Sequence, residues 1–221
     1  IKNGKLDGNL LFAMDSDADY YLVADSDKKI YLIDRNSTGF KSILLSTVEK
    51  TRSSAELKFC QVEGDEISHD PDIFDKAWNA GLVGLAADNL GAAQCALDQA
   101  VEYANQREQF NRVIASFQAV KHMCAEMAAQ LEPCRAMVWY AAHAFNEIPE
   151  ESTMMASHTK AHLSEVAQFV TRTATEVHGG MGFTDLVGLH YWFKRCGFNR
   201  QALGSPELLR DRAAIAQDLA T

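Results

Sequence analysis

The sequence predicts an α+β protein that is mainly α: a C-terminal up-and-down four-helix bundle preceded by part of a small antiparallel β-domain. Two observations carry that expectation. Up to about residue 68, short β-branched and aromatic runs alternate with turn residues, and after that point apolar residues recur every three to four positions. The expected division is therefore 1–68 for the partial β-domain and 69–221 for the helical domain.

In the first part the runs are YYLVADS, DKKIYLIDRNSTG and AELKFCQV, with the turn at Asp27, Lys28 and Lys29 joining YLVA to IYLI as a hairpin. At EISHDPDIFDKAW the character changes, and Asp70, Pro71, Asp72 and Asp75 form a helix start. The first helix turns Trp78, Leu82, Leu85, Leu90, Ala93, Leu97, Ala100 and Ala104 inward. The second opens at Ser116 and carries Val120, Met123, Met127, Leu131, Met137 and Val138. Pro133 inside that run predicts a kink or break, because it removes a helical hydrogen bond at about 3 kcal/mol. The third spans about Glu151 to Val177, with Ala161, Val166, Phe169, Val170, Ala174 and Val177 inward and Gly179 placed to end it. A shorter helix follows Thr184. The last is capped by Ser205, with Pro206 as its first residue and Glu207 on the positive end of its dipole. Short connections between long helices are what makes the bundle up-and-down.

Composition excludes several functions. The formal charge is -9 and neither lysine nor arginine forms a run, which argues against binding nucleic acid or an anionic membrane surface. Five scattered cysteines without CxxC spacing fit reduced thiols rather than a zinc or disulfide framework, and Cys124 and Cys134 read as buried thiols without chemistry. No segment is apolar for long enough to span a bilayer, and the opening IKNGKLDGNL is too polar for a signal peptide, so the expectation is a soluble cytoplasmic protein. His158 and His162 share a helical face but lack a third ligand and read as a solvated face, so no metal is expected. The absence of a Glu-x-x-His pair disfavours a di-iron bundle.

Three stretches carry more than a bundle requires: REQFNRVIASFQAVKHMCAEMA, EVHGGMGFT and GSPELLR. In order and spacing they resemble the C-terminal half of the acyl-CoA dehydrogenase family. Arg107, Phe110, Ile114, Phe117 and Gln118 match a pattern like RxxFGxxIxxFQ. Glu176, His178, Gly179, Gly180, Gly182 and Phe183 match one like QxHGGxGF, and Gly204, Ser205 and Arg210 match EGTSxxxR. The preceding strands are similar to the back part of that family's middle β-domain. The resemblance implies FAD as cofactor, an acyl-CoA thioester as substrate, electron-transfer flavoprotein as electron acceptor, and fatty acid or sterol side-chain oxidation as setting. It also implies a homo- or hetero-oligomer, dimer or tetramer, because the arginine-type and glycine-type residues meet one cofactor from different subunits. The residues it assigns to FAD are Arg107, Phe110, Gln118, Glu176, Gly179, Gly180, Ser205 and Glu207. Chemistry suits these types: an arginine fork fits a pyrophosphate, and adjacent glycines let backbone approach it closely.

The resemblance also marks departures. In most members the catalytic base is the glutamate directly before GTS, and here that position is Leu203. Other members carry it on the first helix of this domain, at a position close to Gly81. No catalytic residue is therefore assigned, and the expectation is a subunit that lacks its own base and works with a partner. Asn111 stands where the family has glycine, Glu176 where it has glutamine, and Glu207 where glutamine often meets the dinucleotide. Two acidic groups beside a pyrophosphate weaken its binding unless protonated or turned away. The family's helical N-terminal domain and the β-domain loop at the isoalloxazine ring are not written in these 221 residues, which leaves open a piece of a longer chain and a naturally short one. Two other readings remain beside this one: a flavin-dependent monooxygenase or other flavoenzyme on the same fold, and a non-enzymatic assembly subunit.

Overall fold

The computed structural model describes residues 5–220. The outer ends of the expected 1–68 and 69–221 division, residues 1–4 and 221, lie outside the described residues. The chain divides between Ala77 and Trp78 into two compact units.

Among the described residues the first unit holds six strands: β1 (Leu6–Met14), β2 (Tyr20–Ala24), β3 (Ile30–Asp34), β4 (Phe40–Leu44), β5 (Ser54–Val62) and β6 (Asp65–Ser68). They form two antiparallel three-stranded sheets, ordered β1-β5-β4 and β2-β3-β6. The expected hairpin is β2-β3, in register from Tyr20↔Asp34 to Ala24↔Ile30. Asp25 builds its turn by accepting the backbone N–H of both Asp27 and Lys29 at 2.9 Å, and Lys28 takes a positive φ of 63°. Tyr21, Val23, Ile33, Phe40, Leu57 and Phe59 form its core. Strands β1, β4 and β6 go beyond the sequence reading. In β1 the apolar run Leu10, Leu11, Phe12 is exposed and the register with β5 shifts between Leu10 and Ala13, so the two-residue alternation that marks a strand is lost there.

The helical unit is built on α1 (Pro71–Gln106), α2 (Gln118–Glu147) and α3 (Pro149–His178), with α4 (Leu189–Gln201) and α5 (Pro206–Ile215). A two-residue hairpin, β7 (Glu108–Gln109) with β8 (Arg112–Val113), joins α1 to α2. Asp70 caps α1 by accepting the N–H of Asp72 at 2.9 Å. The buried face of α1 is rich in alanine, with Ala86, Ala93, Ala96 and Ala100 fully inside. Larger residues fill the space from α2 (Met127, Leu131) and α3 (Leu163, Val170). Only Ile148 separates α2 from α3, so the two run antiparallel, as an up-and-down bundle requires.

Two local expectations need correction. Helix α2 begins at Gln118 rather than Ser116, whose hydroxyl instead donates to the carbonyl of Val113 at 2.7 Å in the preceding 3-10 turn. Of the kink or break expected at Pro133, the break does not occur, because α2 runs through it as one helix. Pro133 and Ala129 are both on the exposed side, so the carbonyl of Ala129 left without an N–H partner is on the side that water can reach.

Candidate functional site

The arginine motif ends α1. The Arg107 backbone N–H still donates to the Tyr103 carbonyl at 2.8 Å, while its side chain is exposed and pairs with no described residue. Three residues on, Phe110 and Asn111 form the two-residue loop between β7 and β8, with φ of 55° and 60°. A loop of this kind requires positive φ at both positions, and asparagine is the side chain that tolerates it best. That is why Asn111 serves where the family has glycine. Phe110 has no such excuse: it is strained and 87% exposed, steadied by an edge-on contact with Phe117 at 6.1 Å. Strain and exposure at one aromatic residue are features that collect at binding sites. Arg112 lies over the Phe117 ring at 3.9 Å, and Gln118 opens α2 exposed, where Phe117 provides no side-chain cap.

The glycine motif ends α3. Gly179 takes φ of 60°, and a side chain built at Gly179 or Gly180 meets nothing within 4 Å, so this backbone is open to approach. Gly182 is different: a Cβ there would stand 2.9 Å from the Thr175 carbonyl, so it lets the chain fold back on α3. His178 is buried. Its Nδ1–H donates to the Ala174 carbonyl at 2.8 Å, and its ring stacks on Tyr103 at 4.4 Å. Because Tyr103 lies one helical turn before Arg107, this stack brings the ends of α1 and α3 together. Beside them an apolar cavity of about 180 Å³ is lined by Arg172, Thr175, Glu176, Phe183, His190 and Phe193.

The third motif stands apart from these two. Ser205 caps α5, its hydroxyl accepting the Leu208 N–H at 3.4 Å. The Glu207 carboxyl is held down at about 2, first by its own backbone N–H and then by the Ser205 hydroxyl and Arg200, whose guanidinium lies 3.0 Å away. Neither acidic departure is left alone. Glu207 pairs with Arg200 and Glu176 with Arg172 at 3.5 Å, so each negative charge stands beside a positive one.

Leu203 sits between α4 and α5 with φ of 56°, followed by Gly204 at 117°. Ala202 ends α4 in an extended conformation (φ -59°, ψ 133°), and Leu203 is the third residue of a tight turn in which the Gly204 N–H donates to the Gln201 carbonyl at 3.1 Å, a place where glycine is usual and a branched side chain is strained by roughly 1–2 kcal/mol. Its carbonyl accepts the Trp78 indole N–H at 3.2 Å, and its side chain packs on the small cluster of Leu82, Ala156, Ala161 and Leu209. A Cβ on Gly81 would lie 2.6 Å from Leu203 Cδ1. The two positions at which the resemblance expects a base, far apart in sequence, therefore occupy one place in space, and both are apolar.

With this geometry in hand the comparisons are decisive. The acyl-CoA dehydrogenase C-terminal domain matches residues 73–217. The chain belongs to the acyl-CoA dehydrogenase family. It is 39% identical over 138 residues to 3-sulfinopropanoyl-CoA desulfinase of Paraburkholderia xenovorans, covering 62% of this chain and 35% of that protein. It is 34% identical over 174 residues to acyl-CoA dehydrogenase IpdE2 of Mycobacterium tuberculosis, covering 78% and 51%. Butyryl-CoA dehydrogenase from Megasphaera elsdenii superposes with a TM-score of 0.86 at 26% identity, covering 96% of this chain and 60% of that one. The chain thus spans only about a third to three fifths of the relatives it matches. As an acyl-CoA dehydrogenase family chain it keeps the family's helical scaffold. Among the described residues no helix is long and apolar enough to cross a membrane, and no group of three potential metal ligands forms.

Two polar features of the helical unit escaped the sequence reading. One is the network at the α1–α4 contact, where Arg195 grips the Asp88 carboxylate through Nε at 2.9 Å and Nη2 at 2.7 Å and Asn199 donates to both Asp88 and Asn89. The other is Lys160, fully buried on α3. A signal for it existed: Lys160 falls on the stripe Ala156, Leu163, Ala167, Val170, Ala174, all of which are buried.

Proposed function

We propose that this chain is the C-terminal part of a flavoprotein that binds FAD and an acyl-CoA thioester but does not supply the base that removes the α-proton. The observation that carries the reading is the contact between Gly81 and Leu203, where both family positions for the base are apolar. A general base must be within hydrogen-bond reach of the proton it takes, and it contributes about 10² to 10⁴ in rate. A leucine that packs on a glycine supplies none of this.

The residues present fit the dinucleotide. Arg107 offers an unpartnered guanidinium for the pyrophosphate, and the uncapped start of α2 at Gln118 adds backbone donors. The open backbone at Gly179 and Gly180 permits close approach, and the arginine partners of Glu176 and Glu207 offset the charge those carboxylates introduce. Bound FAD supplies the acceptor for a hydride from the acyl chain. Phe110 and the apolar cavity at Phe183 and Phe193 offer flat surfaces that exclude water. The exposed arginine and glycine motifs suit a cofactor shared across an oligomer interface, with a second subunit bringing the carboxylate and electron-transfer flavoprotein taking the electrons.

The test is a preparation of the protein alone and together with a family member that carries the glutamate. Expected are bound flavin, an oligomer by light scattering, and acyl-CoA oxidation only in the mixture. A colourless monomer would contradict the reading.

A further inference from the structure

Lys160 has no part in the site described above, yet among the described residues it is the largest fully buried side chain. Burying an ammonium costs several kcal/mol unless its donors are satisfied. Here they meet only backbone: Nζ donates to the Arg200 carbonyl at 2.9 Å and to the Gly204 carbonyl at 2.5 Å. Those two acceptors bracket the turn that carries Leu203. The Arg200 carbonyl is one of the last four of α4, which have no helical partner of their own. The Leu203 carbonyl takes the indole N–H of Trp78. A strained turn, with φ of 56° at Leu203, is therefore held at three carbonyls by two side chains from other helices.

We propose that Lys160 is the positioning residue of this turn, clamping both flanks of residue 203 and so fixing where side chain 203 stands against Gly81. Its bearing on catalysis rests on reading position 203 as the family's base position, but the clamp itself does not.

No carboxylate among the described residues pairs with Lys160. On α4 the charged neighbour is Arg200, which opposes the ammonium. On α5, Glu207 is engaged by Arg200 and Arg210 by Glu165 of α3, while Arg212 donates to Asn79 and Ser157. The remaining titratable groups on α3 nearby are His158, which contacts Gln217, and the exposed His162. On α1, Asp88 is committed to Arg195.

Burial, with Arg200 second, lowers Lys160 from 10.5 to about 8. An opened turn lets water reach the ammonium and returns it towards its ordinary value, so opening takes up a proton. The sign follows: the turn is held more firmly above pH 8, where a neutral amine still donates to both carbonyls, and yields more readily as pH falls. Between a closed value of about 8 and an open value of 10.5, the opening constant falls about tenfold from pH 7 to pH 9.

The Trp78 indole N–H reads this opening directly, by hydrogen exchange in ¹⁵N-tryptophan-labelled protein, with its signal assigned through Trp78→Phe. After correction for intrinsic exchange, protection in the wild type should rise about tenfold from pH 7 to pH 9, while interior α3 amides stay far more protected. Lys160→Met should show lower protection that does not change with pH. Equal protection at both pH values in the wild type, the same rise in Lys160→Met, or indole exchange at the rate of the α3 amides would each overturn the clamp. Should Lys160→Met fail to fold, the wild-type ratio decides alone.

Discussion

If Gly81 and Leu203 compete for one space, they must be thermodynamically coupled, and a double-mutant cycle measures it. An alanine at position 81 gains roughly 0.5–1 kcal/mol over glycine in a helix interior. Its Cβ, however, would stand 2.6 Å from Leu203 Cδ1, well inside the roughly 3.5–4.0 Å of comfortable carbon contact. Overpacking of this kind costs about 1–3 kcal/mol, moderated here because the leucine tip can turn aside. Gly81→Ala should therefore destabilise by about 1 kcal/mol. Leu203→Ala removes a half-buried side chain and should cost about 1–2 kcal/mol. In the double variant the clash is gone and the helix propensity of alanine returns, so the pair should be more stable than the sum predicts by about 1–2 kcal/mol. Urea unfolding followed by circular dichroism reads each value, and thermal midpoints should move by about 2–4 °C per kcal/mol in a chain of this size. Additivity within about 0.5 kcal/mol would show that the two positions do not touch and would refute the argument.

Other perturbations test separate parts of the account. Asp88→Ala leaves Arg195 and Asn199 without their shared acceptor in a partly buried place, so chemical denaturation should show a loss of about 3 kcal/mol, and a neutral result would mean the network is idle. Arg107→Ala should weaken flavin binding by about 1.5–3 kcal/mol in a titration while leaving the melting temperature unchanged, because the side chain contacts no described residue. For pH, the Glu207 carboxyl sits at about 2 against an ordinary 4.5, so its contribution is present above 4.5 and is lost as pH falls towards 2. Glu207→Gln should flatten that part of the stability profile, and an unchanged profile would remove Glu207 as its source.

The legible part of the structure was what repeats. Helix α3 was readable from its apolar stripe and from Gly179, whose positive φ ends it, and the Ser205 cap was readable because one hydroxyl and one proline define it locally. The β2-β3 hairpin was readable for the same reason, through alternation between two turn residues' worth of polar text. What stayed hidden depends on partners distant in sequence. Strand β1 breaks its alternation at a register shift, and only pairing with β5 makes it a strand. Lys160 drew no reading from the sequence, because lysine is usually at the surface and only the carbonyls of Arg200 and Gly204 make its burial tolerable. Pro133 predicted a kink or a break, yet the helix continues, and on its exposed side the lost hydrogen bond faces water. The three motifs were legible as stretches of sequence. That Gly81 and Leu203 are a single place was not, since nothing in the sequence joins residues so far apart.

The central claim is that this chain supplies no base for α-proton removal. Anaerobic addition of an acyl-CoA thioester to the flavin-loaded protein, followed by absorbance, tests it most directly. The account predicts that the flavin band stays oxidised with this protein alone and bleaches when a glutamate-bearing family subunit is present in the assembly. Rapid and complete bleaching by this protein alone would show that another residue takes the proton and would contradict the account.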